Sequence, residues 1–203
     1  MKFYDSIGPN PHVVRMVMAE KGISLPSETI DIRSGVNRSG DYINKVPTGS
    51  TPALELDNGR IISEITVIAE YLEELHPTPA LVGTTAEERA ETRKWVRIID
   101  LGYVEPMANG FRATQGRPMF NGRFPLASES AGEELKAIAA KKLLWLDGLM
   151  SGDFICGDRF TLADILLFCF IEFGAVVGQP LPEGLGWIPA WRARVAARAS
   201  AKA

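Results

Sequence analysis

Apolar and polar positions change period partway along the chain. Lys2 to Asp5 is a short strand candidate, followed by a helix from Pro11 to Lys21. Asn10 suits the N-cap of that helix, Pro11 its first position and Gly22 its stop. Glu28 to Ile32 reads as a second strand and Ser39 to Asn44 as a short helix. Pro52 to Leu56 and Arg60 to Ile62 read as two strands joined through Asp57-Asn58-Gly59, and the Asn-Gly pair predicts a tight hairpin turn. Glu64 to Leu75 then carries Ile68, Tyr71, Leu72 and Leu75 at helical spacing.

The order β-α-β-α-β-β-α predicts a mixed sheet. The helical crossover favours parallel pairing of the first two strands, and the hairpin adds an antiparallel pair. That is a thioredoxin-like α/β arrangement. His76-Pro77-Thr78-Pro79 and Gly83-Thr84-Thr85 interrupt it. Beyond them the pattern is helical: Glu87 to Ala113, Glu129 to Met150, a helix opened by Thr161-Leu162-Ala163-Asp164, and Pro189 to Ala197, with Arg117 to Pro125 as a loop. Thr161 and Asp164 resemble a capping box with Asp in place of Glu. The residues after Asp164 are apolar nearly all round, which predicts a buried central helix. The expected division is an α/β domain over 1–77, a linker over 78–86 and an all-α domain over 87–203.

Composition narrows the function classes. The 203 residues carry a net charge of −3, with 46% hydrophobic and 23% charged residues. An acidic chain without a dense Lys/Arg run offers no field for a phosphate backbone, so no nucleic-acid partner is expected. Met1-Lys2-Phe3-Tyr4-Asp5 does not read as a signal peptide, and Glu172 interrupts the most apolar stretch. A cytoplasmic protein with no membrane partner is the expectation. Cys156, Cys169, His12 and His76 match neither a metal site nor a redox pair, so no metal is expected.

Four segments then become specific. Val46-Pro47-Thr48-Gly49-Ser50-Thr51-Pro52-Ala53-Leu54 resembles a glutathione transferase segment that leads, through a hairpin, to a Glu-Ser pair; here Ile62-Ser63-Glu64-Ile65 stands in that place. Gly157-Asp158-Arg159-Phe160-Thr161-Leu162-Ala163-Asp164 resembles that family's folding motif, and Gly8-Pro9-Asn10-Pro11 through Val14-Arg15 and Glu20-Lys21-Gly22 its first-helix pattern. The chain therefore resembles the cytosolic glutathione S-transferases, in a bacterial or fungal branch lacking the usual Tyr, Ser or Cys activator. The resemblance implies glutathione as co-substrate and a small hydrophobic electrophile bound at the domain cleft. It also implies a homodimer and a detoxifying transferase.

Carried over residue by residue, the resemblance implies a cis Thr51-Pro52 bond, with the Thr51 backbone pairing to the cysteinyl part of glutathione by strand addition. Glu64 and Ile65, at a helix N-terminus, would receive the γ-glutamyl carboxylate and ammonium. Ile65 replaces the family's Ser, so one hydroxyl contact is missing. Asn37, Arg38 and Ser50 are candidates for the glycyl carboxylate. For the thiol, the usual Ser position falls on Gly8 and the Cys position on Asn10. Asn10 is the first candidate activator and Ser6 the second; a third possibility is neither, with Arg112 as a donor. Tyr103, Met107 and Phe111 recur at helical spacing and read either as a core stripe or, with Arg112, as a co-substrate wall. A non-catalytic glutathione or hydrophobic-ligand binder of the same fold is the alternative function. A glutaredoxin-type enzyme would need a cysteine that the first helix lacks.

Overall fold

The computed structural model describes residues 1–123 and 125–203. The chain forms two compact units: Met1–Val82 together with Arg198–Ala203, and Gly83–Ala197. This differs from the expected division at both ends. Residues 78–82 belong to the first unit rather than to a linker, and the last six residues return to it.

In the first unit the order is β1 (Lys2–Asp5), α1 (Pro9–Glu20), β2 (Ser27–Thr29), α2 (Gly40–Lys45), β3 (Ala53–Glu55), β4 (Ile61–Ser63) and α3 (Ile65–Leu75). The sheet order is β2-β1-β3-β4, with β1 parallel to β2 and the other pairs antiparallel. The hairpin forms as its Asn-Gly pair requires: Gly59 has φ 80°, and its N–H donates to the Leu56 carbonyl at 2.9 Å. Successive residues of β1 face opposite ways. Tyr4 joins Ile30, Tyr42, Val46 and Ala53 in one cluster, while Phe3 sits opposite Leu54 in register.

Two contacts invisible to periodicity close this unit. Lys21 and Glu73 form a buried ion pair at 2.5 Å. The Lys21 ammonium also donates to the His76 and Pro79 carbonyls at 2.7 and 2.9 Å, and the Glu73 carboxylate accepts the N–H groups of Leu81 and Val82 at 3.1 and 2.9 Å. Residues 76–82 are thus bonded onto the unit through the ends of α1 and α3, which is why they are no free linker. At the terminus, Arg198 donates two hydrogen bonds to Glu20 at 2.8 and 2.7 Å, and Ser200 donates a third.

The second unit is helical: α4 (Ala86–Ile99), a π-helical segment (Asp100–Val104), α5 (Glu105–Ala113), α6 (Arg117–Phe120), α7 (Glu129–Asp147), α8 (Leu162–Val176) and α9 (Trp187–Ala196). The expected helix over 87–113 is therefore interrupted, and Pro106 supplies the reason. A proline inside an α-helix lacks the N–H and collides with the carbonyl four residues back, here Gly102; widening the turn relieves both. The expected loop over 117–125 begins instead with the one-turn α6, and Phe124 lies outside the described residues.

Helix α8 is buried as expected, and Asp164 organises its start. Asp164 accepts the Ile155 and Thr161 N–H groups, each at 2.9 Å, the Thr161 hydroxyl at 3.1 Å and the Trp191 indole N–H at 2.8 Å. At the other end of α7, Asp147 accepts the N–H groups of Gly186, Trp187 and Ile188 at 2.7–2.9 Å, capping α9. Among the described residues, no helix is long and apolar enough to cross a membrane.

Candidate functional site

The glutathione site expected from sequence falls within the first unit, at three places: the entrance of α1, the turn before β3, and the entrance of α3. The turn before β3 holds the Thr51-Pro52 bond, which is cis. Val46 and Gly49 close the turn ahead of it, the Gly49 N–H donating to the Val46 carbonyl at 2.8 Å. Gly49 has φ 60°, and a Cβ there would stand 2.8 Å from the Asn37 carbonyl oxygen. Only glycine satisfies both conditions.

At the entrance of α3, Glu64 is the N-cap residue and carries φ 71°, ψ 120°. Among the described residues it is the only non-glycine with positive φ. Such a conformation costs on the order of 1–3 kcal/mol and persists where the surroundings impose it. Ile65 opens the helix, and no side chain caps it. The Ile68 N–H is the first to be used internally, donating to the Glu64 carbonyl at 2.9 Å. The N–H groups of Ile65, Thr66 and Val67 thus precede the helical ladder, beside the positive end of the helix dipole. The Glu64 side chain is exposed.

At the entrance of α1 the structure corrects the expected cap. The helix begins at Pro9, Gly8 is the N-cap with φ 108°, and Asn10 lies inside the first turn. Asn10 is half-buried, and its amide caps nothing. Because Pro9 and Pro11 carry no N–H and His12 donates back to Gly8, Asn10 contributes the remaining backbone donor of this turn. Ser6, the second candidate, is buried; its hydroxyl donates to the Ile30 carbonyl at 2.7 Å. Its single proton is engaged inside the fold. Arg15 holds the same turn, pairing with Asp5 at 2.6 Å and donating to the Ser6 carbonyl at 3.3 Å.

The three glycyl-carboxylate candidates separate. Asn37 is only 5% exposed, and its Nδ2 donates to the Gly49 carbonyl at 2.6 Å. Ser50 shares its hydroxyl with that of Thr48 at 2.7 Å. Arg38 is exposed, its stem laid against Gly49. Tyr42, which sequence reasoning did not single out, donates to the Ser50 carbonyl at 2.6 Å. Burial, and then the neighbouring Tyr4, push the Tyr42 phenol pKa well above its ordinary value, so it stays a donor.

The co-substrate candidates lie in the second unit. Tyr103 and Met107 are 4% and 1% exposed, so they are core, and the Tyr103 hydroxyl donates to the Phe170 carbonyl at 3.4 Å. Phe111 is half-buried and meets Phe120 and Phe173 edge-on, with centroids 6.0 and 5.2 Å away. The Arg112 guanidinium lies 5.9 Å from the centre of the Phe120 ring and donates to Asn109 at 3.0 Å. Of the four, Phe111 and Arg112 keep partial exposure.

Comparison with known proteins places both units in one family. The family model of the glutathione S-transferase N-terminal domain matches residues 7–75, and that of the C-terminal domain matches residues 117–199. Glutathione S-transferase 2 of Saccharomyces cerevisiae is 29% identical over 207 residues, covering 100% of this chain and 88% of that protein. The crystal structure of a glutathione S-transferase domain-containing protein from Marinobacter aquaeolei VT8 has a TM-score of 0.92 and 33% identity, over 99% of this chain and 100% of that one. Elongation factor 1-gamma of Schizosaccharomyces pombe is 31% identical over 172 residues, which take in 85% of this chain but 40% of that protein. Both matched domains stand in the order of the two units described above, and the chain belongs to the cytosolic glutathione S-transferase family.

Proposed function

We propose that this protein binds glutathione along the turn before β3 and the entrance of α3, and transfers its thiolate to a small hydrophobic electrophile. The observation that carries the reading is the Glu64 backbone. A non-glycine held at φ 71° directs the chain into α3 so that helix-entry N–H groups precede the ladder beside an exposed carboxylate. That pair of features suits an amino acid terminus, the N–H groups taking its carboxylate and Glu64 its ammonium. The Thr51 backbone would pair with the cysteinyl part, and Arg38 would take the glycyl carboxylate.

The thiol must lose its proton. A free thiol ionises near pH ~8.5, and each unit of depression needs about 1.4 kcal/mol of preference for the thiolate. Asn10 is the activator in this reading, through its backbone N–H and side-chain amide at the dipole end of α1. Ser6 has its proton engaged and takes no part. Phe111 and Arg112 form the part of the co-substrate wall for which their partial exposure qualifies them. The protein works as a homodimer, with the exposed Val67 and Leu75 of α3 covered by the second copy.

A second reading, a glutathione binder without turnover, draws on Gly8 and Ile65, which supply no hydroxyl where the family commonly has one. Titrating glutathione while following thiolate absorbance against pH separates the two. Tight binding with a thiol pKa well below ~8.5 supports the transferase. Binding with an unshifted pKa supports the second reading, and no binding removes both.

A further inference from the structure

The segment that carries Thr51 is fixed by two buried donors on successive carbonyls. Asn37 Nδ2 donates to the Gly49 carbonyl and the Tyr42 hydroxyl to the Ser50 carbonyl, each at 2.6 Å. Both donor residues are less than a tenth exposed. Asn37 Oδ1 is buried with no partner among the described residues, so the donor end of this amide is the end the fold uses. The need for a lock is local: Gly49 is the most permissive residue type, and it stands two residues before Thr51, whose direction matters.

The peptide plane gives the second bond its meaning. The Ser50 carbonyl and the Thr51 N–H belong to one planar trans unit and point in opposite directions. Holding that carbonyl against the Tyr42 hydroxyl fixes where the Thr51 N–H points. Holding the Gly49 carbonyl against Asn37 fixes the preceding plane. We infer that Asn37 and Tyr42 are positioning residues that aim the Thr51 backbone at the cysteinyl part of glutathione. The inference rests on the glutathione reading above and moves Asn37 from ligand contact to support.

Tyr42→Phe tests it most gently, because the ring keeps its edge-on contact with Tyr4 at 5.6 Å. Asn37→Asp replaces the donor by an acceptor at constant shape. In calorimetric titrations with glutathione, each variant raises Kd roughly three- to tenfold. Stoichiometry and the pKa of the bound thiol stay at wild-type values. The double variant loses less than the product of the single effects, because one carbonyl lock slackens once the other is gone. Without glutathione, Tyr42→Phe speeds amide exchange at Ser50 and Thr51. Unchanged Kd in both single variants overturns the inference. So does a lowered stoichiometry at unchanged Kd, the signature of a plain folding defect. Failure of the unsubstituted protein to bind glutathione is a different failure, seen before any substitution, and it removes the glutathione reading itself.

Discussion

Glu64 holds a backbone conformation that side chains disfavour, at the position where a ligand carboxylate would arrive. Replacing it by glycine relieves the strain at φ 71° but removes the carboxylate. Glu64→Gly is therefore expected to unfold at equal or higher urea concentration than the parent, by up to about 1 kcal/mol. Its glutathione Kd should rise at least tenfold. A variant weaker in both respects argues that Glu64 is structural. Gly49 is the opposite case. Gly49→Ala meets both positive φ and a carbonyl 2.8 Å from the new Cβ, so it should lose on the order of 2 kcal/mol or more in denaturant titrations. For Asn10, the alanine variant should raise the pKa of bound glutathione by about one unit, near 1.4 kcal/mol, with affinity little changed at pH below the parent's bound-thiol pKa and weakened above it. An unmoved thiol pKa in that variant removes Asn10 as activator.

The ends of helices decide how elements are joined. Lys21 and Glu73 close the C-terminal ends of α1 and α3 around the main chain of residues 76–82, out of water. Removing one partner leaves the other charge buried and uncompensated, which costs about 3–5 kcal/mol. Lys21→Met and Glu73→Leu should each lower stability by that amount in urea titrations. The double variant should recover only the part due to the unpaired charge, because the His76 and Pro79 carbonyls and the Leu81 and Val82 N–H groups still lose their partners. Asp164 works similarly in the second unit. Burial pushes its carboxyl pKa up, while four donors from Ile155, Thr161 and Trp191 pull the other way. Asp164→Ala strands those donors and is expected to lower the thermal midpoint by more than any surface substitution. Pro106 shows the same logic in the backbone, its missing N–H being absorbed by the π segment before α5.

At the scale of the whole molecule, the chain ends on the unit where it began. Burial alone would raise the Glu20 pKa, but the hydrogen bonds from Arg198 and Ser200 and the Arg198 charge hold it below the usual carboxylate value. A depressed carboxyl contributes its stability in full above its unfolded pKa of about 4.3, and loses it as pH falls through the folded value. Acid titration of Glu20→Gln should therefore show a shallower loss of stability below about pH 4.5 than the parent. Ending the chain at Ala197 removes the same contacts together with the His12 interaction with the Ala201 carbonyl, and should destabilise the first unit. Equal denaturation curves for the two lengths would show the returning segment to be a passenger.

Local chemistry in the sequence determined much of this protein. Asn58-Gly59 set the hairpin, the succession of strand and helix segments up to Leu75 set the mixed sheet, and the apolar run after Asp164 set a buried helix. These are effects of near neighbours, so linear spacing reports them. The four motifs also determined the family, and with it where to look for Thr51, Glu64 and Asn10. Only the tertiary structure decided which side chains are spent inside the fold. Ser6 faces Ile30, Asn37 faces Gly49, Tyr42 faces Ser50, and Tyr103 and Met107 enter the core. It likewise decided that Lys21 meets Glu73 and Glu20 meets Arg198. A hydrogen bond between residues far apart in the chain leaves no periodic trace, because its partners are chosen by packing rather than by spacing.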